Sequence, residues 1–314
     1  MTSPIVSICC VTYNHAPFIR QALDGFLMQE SPTCVSKDEP WYEILIHDDC
    51  STDGTTEIIK EYAAKYPDKI FPLYEEENQY SKGAKVDLFN FTRAKGKYRA
   101  YCEGDDYWTE PKKLQMQVDF MESHPEYSIC FHAYKAYNAN TKQLYLEPNK
   151  SPSQIQNGGA DVTSDMYLKK EFGAQPLTML YRASAYDLKW FDNYEGFRDT
   201  HEIYLLLRQG KGYFLDFIGG VYVKHEGSLT TSISILTSCK EERLHNLDLY
   251  LHNREDRVLR DYLVGILLWN YDVYRRSKNL SEFWQVLKDI FQVAPCVAFR
   301  VWITIMKRGI KSRL

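Results

Sequence analysis

Three carboxylates, Glu103, Asp105 and Asp106, crowd the segment YCEGDDYW directly after a run with strand character. Magnesium and manganese take one or two carboxylates and complete their shell with phosphate oxygens and water. An acidic triplet at a strand end therefore suits metal-diphosphate chemistry. Gly104, inside the triplet, lets backbone and ligand come close. Read alone, the segment is equally a solvated acidic turn. Other polar clusters follow strand-like runs: TYNH with Thr12, Tyr13 and Asn14; HDDCSTDG with Asp48 and Asp49; and QYSKGAK with Lys82 and Lys85. Downstream, FRDTHEIYLLL sets Asp199 at the start of a helical pattern, with His201 beside it and Glu202 one turn later. GGVYVKHEG carries His225.

Such clusters act together only if a scaffold gathers the strand ends. The runs VSICCV, EILIHD, IFPLYE and YRAYCEG alternate with stretches of helical spacing. Phe18, Ile19, Ala22, Leu23, Phe26 and Leu27 share one helical face, and Ile58, Ile59, Tyr62, Ala63 and Tyr66 another. The alternation predicts an α/β fold: a mostly parallel central sheet flanked by helices, with ligands bound beyond the carboxyl ends of the strands. His47, inside a strand, reads as structural. From Ser128 come an extended run SICFHAYKAY, a polar section over 147–161 read as a surface loop, a strand-like PLTMLYR, the helix THEIYLLLRQG, and two extended runs, GYFLDF and GGVYVKH. Beyond about residue 228 the pattern is helical, with Leu244, Leu247, Leu251, Leu259, Leu263 and Leu267 in one helical period. The expected organisation is a domain over 1–228, with a nucleotide part to about 127 and an acceptor part after it. A C-terminal helical extension follows over 229–314.

The chain has 314 residues, 44% of them hydrophobic and 25% charged, enough for a substantial core. Its net charge of −4 argues against nucleic acid as a partner, which requires a basic surface. The eight cysteines show no CxxC spacing, and Cys9, Cys10, Cys102 and Cys130 lie in apolar runs. A reduced, cytoplasmic setting is expected. IVSICCV lacks the length and basic flank of a secretory signal, and no run is long enough to span a bilayer. After Asp289 there is no acid, while Arg300, Lys307, Arg308, Lys311 and Arg313 accumulate. With Val297, Val301, Trp302 and Ile305 interleaved, this end reads either as an amphipathic helix on anionic lipid or as a terminal helix packed on its own domain.

Taken jointly, VSICCVTYNH, EILIHDDCSTDGT, ENQYSKG and KGKYRAYCEGDDYW resemble, in order and spacing, the family 2 glycosyltransferases over about the first two-thirds of the chain. The resemblance implies the GT-A fold, a nucleotide-diphospho-sugar-binding α/β domain. It implies that Thr12, Tyr13, Asn14 and Asp49 hold the nucleoside, with Asp49 accepting a hydrogen bond from uracil. Lys82 and Lys85 read first as solvated lysines, with contact to the base or diphosphate as the other reading, under which Lys85 is assigned to the donor. EGDD resembles the DXD-type motif, so Asp105 and Asp106 are expected on the side of a Mn2+ or Mg2+ ion, the direct ligand of the two left open. Glu103 stands where the family usually has Asp and is assigned, with Gly104 and Asp105, to the donor. His225 lies where related enzymes bring a loop over the diphosphate, as a further metal-ligand candidate. Asp199 is expected to be the general base, with Glu202 as fallback and helix capping as the competing reading. His201 is expected to contact acceptor or diphosphate, and Trp108, the other acceptor candidate, reads first as packing beside the site.

The implied reaction is a metal-dependent, inverting transfer of a hexose or N-acetylhexosamine from a UDP-sugar to a glycan hydroxyl. The acceptor implied is polyprenyl-diphosphate-linked, in bacterial O-antigen or capsule synthesis, with the protein peripheral on the inner face of the cytoplasmic membrane. Two other readings stay open. A sugar nucleotidyltransferase usually opens with a glycine-rich basic loop, which TYNHAPF is not. A non-catalytic carbohydrate- or partner-binding module needs neither metal carboxylates nor a base.

Overall fold

The computed structural model describes residues 3–35, 41–146, 151–228 and 233–311, without the side chains of 304–311. The chain divides into two compact units, Met1–Asn193 with Asp199–Glu226, and Tyr194–Arg198 with Gly227–Leu314.

The first unit is built on β1 (Val6–Thr12), α1 (Ile19–Leu27), β2 (Tyr42–Asp48), α2 (Thr55–Lys65), β3 (Ile70–Tyr74), α3 (Asp87–Phe91), β4 (Tyr98–Tyr101), β5 (Tyr107–Trp108) and α4 (Lys113–Ser123). It continues through β6 (Tyr127–Asn138), β7 (Gln143–Leu146), β8 (Gly159–Val162), α5 (Ser164–Leu168), β9 (Leu180–Arg182), α6 (Trp190–Asn193), α7 (Asp199–Gln209) and β10 (Lys211–Lys224). The sheet runs β3-β2-β1-β4-β9-β6-β10-β5, with β7 beside β6 and β8 beside β10. The ladders β3/β2, β2/β1, β1/β4 and β6/β10 are parallel and carry most of the pairing. Parallel strands covered on both faces read as unbroken apolar runs, and every residue of β2 is buried. Helix α1 covers the sheet with Ile19, Ala22, Leu23 and Phe26, all fully buried. His47 stacks on Phe89 and reaches Glu75 at 3.3 Å, a structural role.

Several elements depart from the sequence reading. GYFLDF and GGVYVKH form one strand, β10, whose register shifts between Leu215 and Gly220 where it pairs β6. Such bulges let one long strand bend without ending. In PLTMLYR, Pro176–Thr178 is a 3-10 turn and only Leu180–Arg182 is strand, because proline fixes φ and lacks the N–H that a ladder needs. Within the polar section, residues 147–150 lie outside the described residues, and Gly159–Val162 is strand β8 rather than loop.

The second unit contains α8 (Ile235–His252), α9 (Arg257–Ser277), α10 (Leu280–Val293) and α11 (Pro295–Lys311). The single leucine period expected there is two helices. Asn253 ends α8, and the Asp256 side chain accepts the Leu259 N–H to start α9. Leu259, Leu263 and Leu267 are fully buried, whereas Leu244 is exposed. Arg243 holds Asp289 and Glu282 in a buried ion-pair network beneath α10. All eight cysteines are free thiols. Among the described residues no helix is long and apolar enough to cross a membrane.

Candidate active site

The TYNH and DDCSTDG segments leave the carboxyl ends of adjacent parallel strands and brace one another. Asn14 adopts a left-handed φ of 55°, which asparagine tolerates, and so turns the chain back over β2. The Asn14 N–H donates to Ser51 Oγ at 2.9 Å, the His15 N–H to Thr55 Oγ1 at 2.8 Å and the Ala16 N–H to Asp53 Oδ2 at 2.9 Å. Asn14 Oδ1 in turn accepts the Thr52 N–H at 2.8 Å. Ser51 therefore anchors the first loop instead of capping α2. At that helix start the Asp53 carboxylate accepts from Thr55, and Asp48 accepts from Ser51 and Thr56.

Of the TYN triplet, only Tyr13 presents an exposed side chain. Thr12 is buried, with Oγ1 at 3.2 Å from His15 Nδ1. Asp49 is 2% exposed, and its oxygens accept the Gln79 and Tyr80 N–H groups at 2.7 and 3.0 Å. The charge-assisted bonds expected toward a uracil imide are made here with backbone. Each carboxylate oxygen retains a second lone pair. Lys85 lies half-buried two residues before α3, and Lys82 pairs with Glu77 at the surface.

At the end of β4, Gly104 is required by a close approach, but not to a ligand. A Cβ there would lie 2.5 Å from Thr12 Oγ1 and 2.7 Å from Thr12 Cβ, so glycine lets the EGDD turn seat against the end of β1. That seating separates the two aspartates. Asp106 turns inward, where its Oδ1 accepts the Val223 N–H at 2.8 Å and ties the turn to β10. Asp105 turns toward two imidazoles: Oδ2 lies 3.0 Å from His225 Nε2 and 3.8 Å from His15 Nε2. Its other oxygen, Oδ1, is buried with no hydrogen-bond partner. The ligand atoms of His15, Asp105 and His225 all lie within 4.8 Å of one another, the one grouping of metal-type side chains among the described residues. A carboxylate oxygen approached by two imidazole nitrogens, with the ligand atoms of all three side chains this close, fits a divalent cation. Sequence reasoning missed His15. Its signal was position alone: it directly follows a strand-end turn that faces the EGDD turn.

Around this group the carboxyls crowd. Burial, reinforced by the charges of Asp105, Asp199 and Asp106, pushes Glu103 well above the usual carboxylate range. Burial likewise lifts Asp87 to about 6, although the Tyr101 hydroxyl donates to it at 2.5 Å. Asp105 goes the other way. Burial would raise it, but the His225 hydrogen bond and the neighbouring imidazoles hold it low and ionised.

Asp199 is exposed and is the first residue of α7, where the helix dipole favours its charge. Glu202 is buried beside Tyr181, and burial with the charges of Asp199 and Asp87 pushes it well up. The fallback base is thus sequestered. Neither acceptor candidate lies at the surface. His201 is fully buried. Trp108 is 2% exposed, donates Nε1–H to Leu177 O at 2.9 Å and lies 3.9 Å beneath the buried Lys113 ammonium. Both side chains are packed inside, because an inward-facing register leaves neither ring a surface.

The pattern described as "Glycosyl transferase family 2" matches residues 7–187, more than half of the chain, and the chain belongs to that family. The putative teichuronic acid biosynthesis glycosyltransferase TuaG of Bacillus subtilis is 35% identical over 118 residues, 38% of this chain and 42% of TuaG. The chain spans about two-fifths of the length of the curated relatives it matches. Staphylococcus aureus TarS, solved in complex with UDP-GlcNAc, superposes with a TM-score of 0.64 at 19% identity, covering 93% of this chain and 82% of that one. A mannosyltransferase of Pyrobaculum calidifontis, solved with GDP-Man and Mn2+, gives a TM-score of 0.53 at 15% identity over 99% of this chain and 81% of that one. At these identities the structures establish the fold, which is GT-A.

Proposed function

We propose that this chain transfers a hexose or N-acetylhexosamine from a UDP-sugar to a hydroxyl of a bacterial surface glycan, with inversion at the anomeric carbon. The observation that carries the reading is Asp105: a buried, ionised carboxylate at the end of β4, aimed at two imidazoles with one oxygen unpartnered. Asp105 and His225 would hold a divalent ion, which when bound supplies neutralising charge for the departing diphosphate. Asp106 braces β10, so Asp105 is the member of the pair assigned to the ion. Tyr13 offers an exposed ring to the nucleoside. The uracil imide N–H is assigned to Asp49, competing there with the Gln79 and Tyr80 N–H groups. Asp199, exposed at the start of α7, takes the proton of the attacking acceptor hydroxyl. The TarS complex with UDP-GlcNAc and the teichuronic acid name of TuaG support a UDP-linked amino sugar and a surface polymer. The test is proton NMR of the linkage made from a UDP-α-sugar: a β product supports the reading, and an α product overturns the single-base mechanism.

The acceptor is proposed to be lipid-linked, with the second unit on the bilayer. Leu280, Trp284 and Phe291 fall within 40° on one face of α10 by helical spacing and are exposed, as are Phe299 and Trp302 on α11. The acids of α10 are turned inside: Asp289 pairs with Arg243, and Glu282 with Arg243 and Lys240. That leaves Lys288 and Arg300 exposed on the two helices, and no acid follows Asp289 in sequence. Exposed tryptophans with a basic flank match an anionic lipid interface, where each cation contributes about 1 kcal/mol. The side chains of Ile305, Lys307, Arg308 and Lys311 lie outside the described residues, as does Arg313. Vesicles containing phosphatidylglycerol are expected to co-sediment the protein, neutral phosphatidylcholine vesicles much less, and Trp284→Ser with Trp302→Ser to abolish the difference. Equal sedimentation with both vesicle types, or with neither, contradicts lipid docking.

A further inference from the structure

We propose that His15 is a metal ligand in its own right, completing with Asp105 and His225 a two-imidazole, one-carboxylate site that selects first-row transition dications over Mg2+. The inference rests on the nucleotide-sugar reading of this site and assigns to it a residue and a selectivity which that reading does not contain.

Three observations converge. His15 Nε2 points at the same oxygen, Asp105 Oδ2, as His225 Nε2, at 3.8 and 3.0 Å. The two rings stand edge to face with centroids 6.0 Å apart, so they do not stack, and both Nε2 atoms approach the one carboxylate oxygen. The other nitrogen of His15 is engaged: Nδ1 lies 3.2 Å from Thr12 Oγ1. Metal-bound histidines are characteristically oriented by a hydrogen bond at the nitrogen that does not ligate.

The loop bearing His15 is also fixed beforehand. His15 N–H to Thr55, flanked by Asn14 N–H to Ser51 and Ala16 N–H to Asp53, ties three successive residues to the α2 entrance. The ring is therefore held at the site and not swung in from solvent. Phe18 packs 4.7 Å from the His225 ring and holds the second imidazole from the other side.

The donor set has a chemical consequence. Magnesium demands near-octahedral oxygen coordination and gives up water reluctantly, so imidazole is a poor ligand for it. Two imidazoles with one carboxylate suit divalent manganese, iron and cobalt, and leave coordination positions open for diphosphate oxygens. Removing one imidazole should cost transition-metal affinity while barely touching magnesium.

The experiment is direct metal binding to the full chain, read without turnover. Free Mn2+ is followed by electron paramagnetic resonance with UDP present and Mg2+ as competitor. The wild type is expected to bind Mn2+ at least about 10-fold more tightly than Mg2+, and His15→Gln to lose about 10- to 100-fold in Mn2+ affinity, the range for disturbing a metal site's surroundings being a lower guide. Its Mg2+ affinity should change less than about 3-fold. Cobalt absorption supplies a second reading: visible bands of the wild type shifted from the aqueous ion by nitrogen ligation, with Thr12→Val, which removes the partner of His15 Nδ1, weakening the shift. Unchanged Mn2+ affinity in His15→Gln, or equal Mn2+ and Mg2+ affinity in the wild type, overturns the role of His15 alone. Failure of the wild type to bind UDP with any of these ions overturns the underlying reading as well.

Discussion

Asp199→Asn is expected to lower transfer by about 100- to 10,000-fold, the usual contribution of a positioned general base, while metal-dependent UDP binding stays within about 3-fold. The expectation follows from the contrast within α7. Asp199 is exposed at the first residue of the helix, and Glu202, one turn later, is buried and pushed toward its neutral form. A neutral, sequestered carboxyl cannot substitute for the lost base. The amide keeps the size of Asp199 and caps a helix as well as the carboxylate does, so a purely capping role would leave transfer and melting temperature near wild type in Asp199→Asn and lower the melting temperature only in Asp199→Ala. Steady-state transfer and thermal melting on the same preparation separate the two. Transfer equal to wild type would remove Asp199 from the mechanism.

Asp105→Asn is the second large effect. Its carboxylate is the centre of the His15 and His225 grouping, and the amide retains shape while removing the charge. Metal-dependent UDP affinity should fall by about 100-fold or more, beyond the range for residues that only orient ligands. Stability should fall modestly, because a carboxyl held below its ordinary range contributes stability when ionised, and the amide gives that up while keeping an oxygen to accept from His225. A loss of metal-dependent binding far larger than the loss of stability distinguishes a ligand from a structural carboxylate. Asp106→Ala should instead remove the acceptor of the Val223 N–H on β10 and lower stability.

The parallel half of the sheet was legible because its strands are unbroken apolar runs and the helices between them carry one apolar face each. β10 was not, because its Leu215–Gly220 bulges interrupt the period without ending the strand. The leucine series in the second unit kept a helical phase across the Asn253–Asp256 turn, so periodicity alone joined two helices. The site was legible as a set of strand ends but not in its division of labour. Sequence places Asp105 and Asp106 side by side, and only the contact of Gly104 with Thr12 turns one toward the imidazoles and the other toward β10. His201 and Trp108 have the chemistry of acceptor ligands and the burial of core residues. His15 entered the site through a turn at Asn14, a backbone event that no residue-type pattern announces.

The central claim is that these strand ends hold a uridine diphosphate through a divalent ion. Calorimetric titration of UDP, GDP, CDP and ADP, with manganese and then with chelator, tests it most directly. The account predicts tight binding of UDP alone and its loss when the metal is chelated. Binding that ignores the metal, or that favours another nucleotide over UDP, would contradict it.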